Sequence, residues 1–266
     1  MKILIIGCGQ MGLCFLRAFS KFNVASPDNI FLMEKSEERK NKISGSLPGI
    51  FMDPSEVFAD KDFVVLLCVK PQDFEGLKEM LAGKIHRDAL VISIMAGISV
   101  AKIKQDLGVQ FVIRAMPNAP SELGLGMTGF YADPSIPNNL LRKGENILGT
   151  IGRTMFFEEE ELLNPVTALS GSGPAYFYYF LRSMIEAGKE MGVEEAKVSL
   201  LLKQTMLGAY HLLNHDRRSP EDLIAVVASR GGTTEAALRT FADEKVGEGI
   251  KKGLLAACRR AKELGS

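Results

Sequence analysis

The N-terminal segment constrains the fold more than any other part of the sequence. The apolar run KILIIG (2–7) leads directly into GCGQMG (7–12), and residues 11–22 have the apolar spacing of a helix. Strand, G-x-G-x-x-G and helix in this order are typical of a dinucleotide-binding βαβ unit. The first glycine permits a tight turn, the second lets the backbone approach a pyrophosphate, and the third allows close helix–strand packing. The pattern predicts a dinucleotide site at this loop, formed by Gly7, Gly9, Gln10, Met11 and Gly12.

The rest of the chain divides into two regions with different patterns of apolar residues. Apolar runs at 29–35, 62–71, 90–97 and 111–118 alternate with helical patterns, which favours a parallel sheet covered on both faces. Two more stretches, 126–134 and 154–161, are candidates for further strands at the far edge. From about Asn164 onward only helical periodicity is found. We therefore predict an α/β Rossmann-type domain over residues 1–160 and an all-α domain over 161–266. The helices of the second domain are expected at 176–191, 197–214, 220–229, 234–243 and 246–264.

The end of the second predicted strand indicates how the adenosine ribose is held. An acid such as Glu34 at this position commonly binds the ribose hydroxyls and favours NAD. Lys35 and Ser36, with Arg39 nearby, are suited instead to the 2′-phosphate of NADP. The sequence leaves both NADPH and NADH open as cofactors.

Further cofactor contacts are expected where other predicted strands end, because ligands of open α/β sheets bind outside the carboxyl ends of the strands. Asn118 is a candidate to present its amide to the cofactor or the substrate, although a turn-forming asparagine needs no ligand. Lys70 has the alternative of a solvated strand end. The positions assigned to the cofactor at these ends are Val69, Lys70, Pro71, Ala96, Gly97 and Asn118.

Composition gives little support to other functions. Lys plus Arg and Asp plus Glu both number 32, so the net charge is zero and nucleic-acid binding is not expected. In MKILIIG a glycine follows four apolar residues, which is too short for a signal or membrane segment, so a cytoplasmic location is expected. The cysteines form no C-x-x-C motif, and His211 and His215 have no evident third ligand, so no metal site is expected.

Two segments of the helical half have distinctive glycine-containing turns. SRGGTTEAAL (229–238) places glycines and threonines before a helix, where backbone N–H groups form an anion site. An ordinary loop with a threonine N-cap is the alternative. In LSGSGPAYFYYF (169–180), Pro174 marks the start of a helix whose aromatic residues favour a core or a subunit interface.

Taken together, GCGQMG, VKPQ (69–72), RAMPNAP (114–120), LSGSGPAYFY (169–178) and SRGGTTEAAL resemble the pyrroline-5-carboxylate reductase family over essentially the whole chain. The resemblance implies reduction of 1-pyrroline-5-carboxylate to L-proline with NADPH or NADH, the last step of proline biosynthesis. It also implies a Rossmann domain followed by a helical domain of the 6-phosphogluconate-dehydrogenase-like C-terminal type. The helical domains of the family form a homodimer, in some members assembled further into a decamer.

The resemblance assigns roles within the 229–238 segment. Ser229, Gly232, Thr233 and Thr234 match the loop that binds the substrate carboxylate through backbone amides. Thr234 matches the threonine that hydrogen-bonds to the ring nitrogen and is the expected catalytic residue. Arg230 departs from the family, which often has proline there.

Two other functions remain open at this point. A 3-hydroxy-acid dehydrogenase of similar architecture would need a basic lysine, for which Lys189 and Lys203 are the candidates. A non-catalytic regulatory relative would keep the fold without turnover. Neither lysine has a recognisable catalytic setting in the sequence, and the retained Thr234 and both glycine loops argue against the regulatory relative.

Overall fold

The computed structural model describes residues 1–53, 61–215 and 217–264. The chain forms two compact units. The first contains Met1–Pro174 and the C-terminal residues from Ala256 onward, and the second contains Ala175–Leu255.

The strands of the described residues form one eight-stranded sheet in the order β3-β2-β1-β4-β5-β6-β7-β8. Their bounds are β1 (Lys2–Ile6), β2 (Ile30–Met33), β3 (Ile50–Phe51), β4 (Phe63–Leu67), β5 (Leu90–Ser93), β6 (Phe111–Met116), β7 (Gly126–Ala132) and β8 (Gly152–Phe156). Strands β1 to β6 are parallel, β7 is antiparallel to β6, and β8 is parallel to β7. The four parallel strands expected after β1 and the strand at 126–134 are confirmed. The strand expected at 154–161 instead spans Gly152–Phe156, and β3 was not predicted.

Helices cover both faces of this sheet. The first unit contains α1 (Gln10–Lys21), α2 (Glu37–Ser44), α3 (Phe74–Leu81), α4 (Val100–Leu107), α5 (Asn138–Gly149) and the short α6 (Leu163–Val166). Ile3 and Ile5 of β1 pack on one face in a buried cluster with Phe15 of α1. Leu4 and Ile6 point to the other face and pack in a second cluster with residues of α3 and α4. Because both faces are buried, the strands are continuously apolar, which is why the sequence pattern identified them.

The remaining helices are α7 (Gly173–Glu190), α8 (Glu195–His215), α9 (Pro220–Val227), α10 (Thr233–Asp243) and α11 (Val246–Glu263). They confirm the five helices predicted for the second half of the chain. Helix α9 begins with a capping box, in which the Ser219 hydroxyl accepts from the Asp222 N–H at 3.1 Å and the Asp222 carboxylate accepts from the Ser219 N–H at 3.1 Å.

The second unit leaves many large apolar side chains exposed. An apolar surface of this extent is typical of a subunit interface. Those on α7 and α8 include Phe177, Tyr178, Tyr179, Leu200, Leu201, Leu207 and Tyr210. Within the residues that the structure describes, no helix is both long and apolar enough to span a membrane.

Candidate active site

The glycine-rich loop connects β1 to α1 at the carboxyl edge of the sheet. Gly7 has a φ of +91°, and a Cβ there would lie 2.9 Å from Val69 Cγ1. At Gly12 a Cβ would lie 2.1 Å from the Gly7 carbonyl oxygen, so only glycine lets α1 start this close to the strand. At Gly9, by contrast, a Cβ would meet no atom within 4 Å. The loop is therefore closed by protein at Gly7 and Gly12 and open at Gly9, as a site for a pyrophosphate requires.

The first turn of α1 presents unused donors at this open position. Gly9 is the N-cap of α1, without a side-chain cap, and the turn carries no acidic residue. The first intrahelical bond runs from the Leu13 N–H to the Gly9 carbonyl at 2.9 Å, so the amides of Gln10 and Met11 have no intrahelical acceptor. A helix start of this kind stabilises an anion through its N–H groups and its dipole.

The carboxyl end of β2 is tied to the loop by Glu34. The Glu34 carboxylate is buried and accepts hydrogen bonds from the N–H groups of Cys8 and Ser36, each at 2.9 Å. Burial raises the pKa of the Cys8 thiol to about 12, and the adjacent Glu34 carboxylate adds to the shift, so this thiol of the loop stays neutral. Arg39 approaches Glu34 from the solvent side at 3.5 Å.

Lys35 and Ser36, both assigned to the cofactor, follow Glu34 directly. The Lys35 ammonium binds the carboxylate of Asp73 at 2.9 Å and is largely exposed. Ser36 is the N-cap of α2 and accepts from the Arg39 N–H at 3.4 Å. The structure thus places both residues at the edge where the adenosine half of a dinucleotide lies in folds with this strand order.

The other predicted contacts also lie at the carboxyl ends of strands. Val69, Lys70 and Pro71 follow β4, with Lys70 exposed and Pro71 beginning a short 3₁₀ turn. Ala96 and Gly97 follow β5, and Gly97 has a φ of +80°. The first unit therefore brings the glycine-rich loop and these strand ends to one edge of the sheet.

Asn118 follows β6 and is bound by the protein itself. Its amide nitrogen donates to the Ser170 carbonyl at 3.3 Å and to the Ser170 hydroxyl at 3.2 Å. Its amide oxygen accepts from the Met127 N–H at 2.9 Å. Ser170 lies in a π-helical turn over Thr167–Gly171. These bonds join the end of β6 to that turn, and a contact of Asn118 with the cofactor stays a prediction.

The predicted substrate loop precedes α10 in the second unit. Gly232, not a threonine, is the N-cap of α10, and no side chain caps the helix, so the threonine-cap alternative is wrong. The Gly232 N–H donates to the Ser229 carbonyl at 2.9 Å, and the Gly231 N–H donates to the Glu235 carboxylate. The amides of Thr233 and Thr234 have no acceptor in the part of the chain that the structure describes. This leaves two adjacent amides available at the helix start, an arrangement that suits an anion, and Thr234 itself is half-buried.

Two partners in these sites were missed by sequence reasoning. Ser170 lies 52 residues from Asn118, and no local pattern signals that contact. Glu235 lies four residues beyond Gly231 at the third helical position. An acid in the first turn of a helix is a recognisable signal, and it was available in the sequence.

Lys189, one of the two candidate lysine bases, is paired with a carboxylate. The Lys189 ammonium binds Glu195 at 2.7 Å, and this hydrogen bond raises the pKa of Lys189, which disfavours a neutral base. Among the described residues there is no group of three or more His, Cys, Asp or Glu side chains that could hold a metal ion.

The strand order and the open glycine-rich loop define the class of protein, a Rossmann-type dinucleotide-binding protein with a separate helical unit. Comparison with known proteins gives the family. Residues 160–264 match the family model described as pyrroline-5-carboxylate reductase dimerisation, and residues 2–97 match one described as NADP oxidoreductase, coenzyme F420-dependent. The pyrroline-5-carboxylate reductase of Pseudomonas aeruginosa is 32% identical over 265 residues, covering 99% of this chain and 96% of that protein. The chain belongs to the pyrroline-5-carboxylate reductase family, an oxidoreductase family.

Solved structures agree on the fold. A pyrroline-5-carboxylate reductase from Coxiella burnetii is 29% identical with a TM-score of 0.84, covering 100% of this chain and 98% of that one. The Plasmodium falciparum pyrroline carboxylate reductase with NADP bound is 24% identical with a TM-score of 0.89, covering 100% of this chain and 98% of that one. The predicted Rossmann-plus-helical architecture is confirmed.

Proposed function

We propose that this protein reduces 1-pyrroline-5-carboxylate to L-proline with NADPH or NADH, as the last step of proline biosynthesis. The observation that carries the proposal is the start of α10, where the open amides of Thr233 and Thr234 lie beside the half-buried Thr234 side chain. A small ring that bears both a carboxylate and a nitrogen matches that combination of donors and hydroxyl.

The cofactor is proposed to bind at the carboxyl edge of the sheet. The amides of Gln10 and Met11 would hold its pyrophosphate at the opening over Gly9. Lys35 and Ser36 would face its adenosine end, and the remaining predicted positions would line the rest of the crevice. These are Gly7, Gly12, Val69, Lys70, Pro71, Ala96, Gly97 and Asn118. When bound, the reduced nicotinamide supplies the hydride that the imine carbon accepts.

The substrate is proposed to bind at the start of α10. The amides of Thr233 and Thr234 hold the carboxylate, with the Ser229 hydroxyl at the edge of the site. Gly232 contributes by shape: its own N–H is used by Ser229, and a Cβ there would lie 2.5 Å from Ser229 Oγ. The Thr234 hydroxyl accepts a hydrogen bond from the ring N–H of the protonated imine or donates one to the product nitrogen. Much of the rate gain then comes from positioning.

The oligomer and the location are also proposals. The exposed apolar residues of α7 and α8 support a homodimer formed through the helical domain. The choice between a dimer and a decamer built from such dimers stays open. We place the domain limit after residue 160, where the match to the dimerisation model begins. We place the enzyme in the cytoplasm, where metabolism regenerates reduced nicotinamide cofactors. Light scattering of the purified protein measures the assembly, and a monomer at micromolar concentration would contradict the dimer.

One assay tests the reaction. Oxidation of NADPH and of NADH is followed with 1-pyrroline-5-carboxylate, with a 3-oxo acid, and without substrate. Cofactor oxidation with the imine, but not with the 3-oxo acid or without substrate, supports the proposal. Turnover with the 3-oxo acid alone would instead make the protein a hydroxy-acid dehydrogenase, and cofactor binding without turnover of either substrate would favour a regulatory relative.

A further inference from the structure

Glu34 lies where the acid that binds the adenosine ribose is expected, yet its carboxylate is hydrogen-bonded to backbone amides of the protein. One oxygen accepts from the Cys8 N–H and the other from the Ser36 N–H, each at 2.9 Å. The neighbouring Gly7 N–H donates to the Met33 carbonyl at 2.8 Å. Two adjacent amides of the glycine-rich loop are thus bound to the end of β2, and the Glu34 side chain supplies one of the two acceptors.

This arrangement leaves the carboxylate no open side for a ligand. The Glu34 side chain is only 2% exposed, so a ribose hydroxyl could reach it only after the loop had been displaced. Displacing the loop would leave the Cys8 N–H without an acceptor in a buried position, which is costly. Glu34 therefore does not accept hydrogen bonds from the ribose hydroxyls, which is the contact that favours NAD.

The exposed group beside this carboxylate is the Arg39 guanidinium. It is 54% exposed and meets Glu34 Oε2 at 3.5 Å, which leaves most of its donors directed to solvent. A phosphate near the end of β2 would be repelled by the buried negative charge of Glu34 unless a cation stood beside it. Lys35 is less available because its ammonium is bound to Asp73 at 2.9 Å.

We propose that Glu34 is a positioning residue for the glycine-rich loop and that Arg39 selects the cofactor with a 2′-phosphate. This rests on the proposed function only in requiring that NADPH or NADH binds at the sheet edge. Glu34 then contributes equally to both cofactors, because both share the pyrophosphate. Arg39 contributes only to NADPH, because NADH has a free hydroxyl at that position.

The test is the dissociation constant of each cofactor for the wild type and three variants, measured by calorimetry without substrate. Arg39→Gln is expected to weaken NADPH about tenfold to a hundredfold and to change NADH less than about twofold. Lys42→Gln is the matched control, because it removes an exposed cation of the same helix, α2, that is bound to Glu38 at 2.6 Å and has no place in the proposed site; it is expected to weaken NADPH by less than about threefold. Glu34→Gln is expected to weaken both cofactors by the same factor. An equal effect of Arg39→Gln on both cofactors, or a Glu34→Gln effect confined to NADH, would overturn the proposal.

A second measurement separates positioning from a general loss of folding. In steady-state kinetics Glu34→Gln should raise the KM of both cofactors and leave the KM of the imine within about twofold, because the substrate loop is a different segment. A rise in all three KM values would show damage to the whole fold and contradict a specific role for Glu34. Arg39 is exposed, so its variant is expected to fold and gives a result that does not depend on Glu34. Imine turnover by the wild type tests the proposed function separately from these cofactor ratios.

Discussion

A methyl group at Gly9 is predicted to weaken cofactor binding without harming the fold. Gly9 has φ −72° and ψ −166°, a conformation open to any residue, and an added Cβ would meet no atom within 4 Å. The substitution Gly9→Ala therefore introduces no strain. It also reduces the conformational freedom of the unfolded chain, which stabilises a protein by about 0.4–1 kcal/mol at compatible positions. The Tm should remain unchanged or rise slightly.

The cost appears only when the cofactor is present. The added methyl group occupies the space through which the pyrophosphate reaches the amides of Gln10 and Met11. Extra carbon in a close-packed contact costs about 1–3 kcal/mol, which corresponds to roughly a fivefold to 150-fold weaker dissociation constant. Calorimetric titration with NADPH and thermal unfolding of the same sample measure the two effects independently.

Gly12→Ala is the matched control, because it adds the same atom three residues later in the same loop. Its Cβ would lie 2.1 Å from the Gly7 carbonyl oxygen and 3.1 Å from the Gly7 carbonyl carbon, both backbone atoms. Helix α1 would have to move away from β1, so the free energy of unfolding should fall by about 1–3 kcal/mol or more. Wild-type affinity in Gly9→Ala would refute the placement of the pyrophosphate. Equal loss of stability in both variants would refute the contrast between open and closed positions.

Three further predictions concern other parts of the chain. Thr234→Ala should lower kcat/KM for the imine about tenfold to a thousandfold. Thr233→Ala, which keeps its backbone amide, should lower kcat/KM by less than about threefold. Equal losses of kcat/KM in the two variants would remove the Thr234 hydroxyl from the mechanism. Lys104 holds the pKa of Asp133 at about 2, so their ion pair stabilises the folded state above about pH 4 and less as the pH falls towards 2. Urea titrations should show that Asp133→Asn costs about 1 kcal/mol at neutral pH and progressively less in acid; a cost that does not change with pH would contradict this. In the wild type the buried Arg114 guanidinium is bound to Glu160 at 2.9 Å, and Glu160→Ala removes this partner. The variant should lose about 3–5 kcal/mol of unfolding free energy in denaturant titrations, well above the loss in Glu160→Gln. A loss below about 1 kcal/mol would contradict the pairing.

The features that could be read from the sequence are those that depend on local periodicity. Strand β4, FVVLL, is buried along its whole length and reads as one apolar run. The start of α9 was likewise signalled by Ser219 before Pro220, which is a good N-cap followed by proline at the first helical position. Strand β3 was not predicted, because a strand of two residues is too short to show a periodic pattern of apolar side chains.

The features that could not be read depend on the direction in which a side chain points. Glu34 has the right residue type and the right place for ribose binding, and only its contact with the Cys8 N–H shows that it faces the protein. Asn118 likewise follows β6 as expected, but its amide is bound to a residue far along the chain, Ser170. A polar residue at a strand end predicts a hydrogen bond there. Only the tertiary structure shows whether that bond is made to a ligand or to another part of the protein.

The two loops that are proposed to bind anions share one arrangement. In each, a carboxylate accepts one N–H of the glycine segment: Glu34 binds Cys8, and Glu235 binds Gly231. An acid next to an anion site would normally weaken it, but here each carboxylate is bound to an amide that precedes the helix. The amides of the first helical turn, such as Met11 in one loop and Thr233 in the other, remain available. With both sites as proposed, a chain with no net charge binds two anions largely through oriented backbone dipoles, and the acids fix the loops that direct those dipoles.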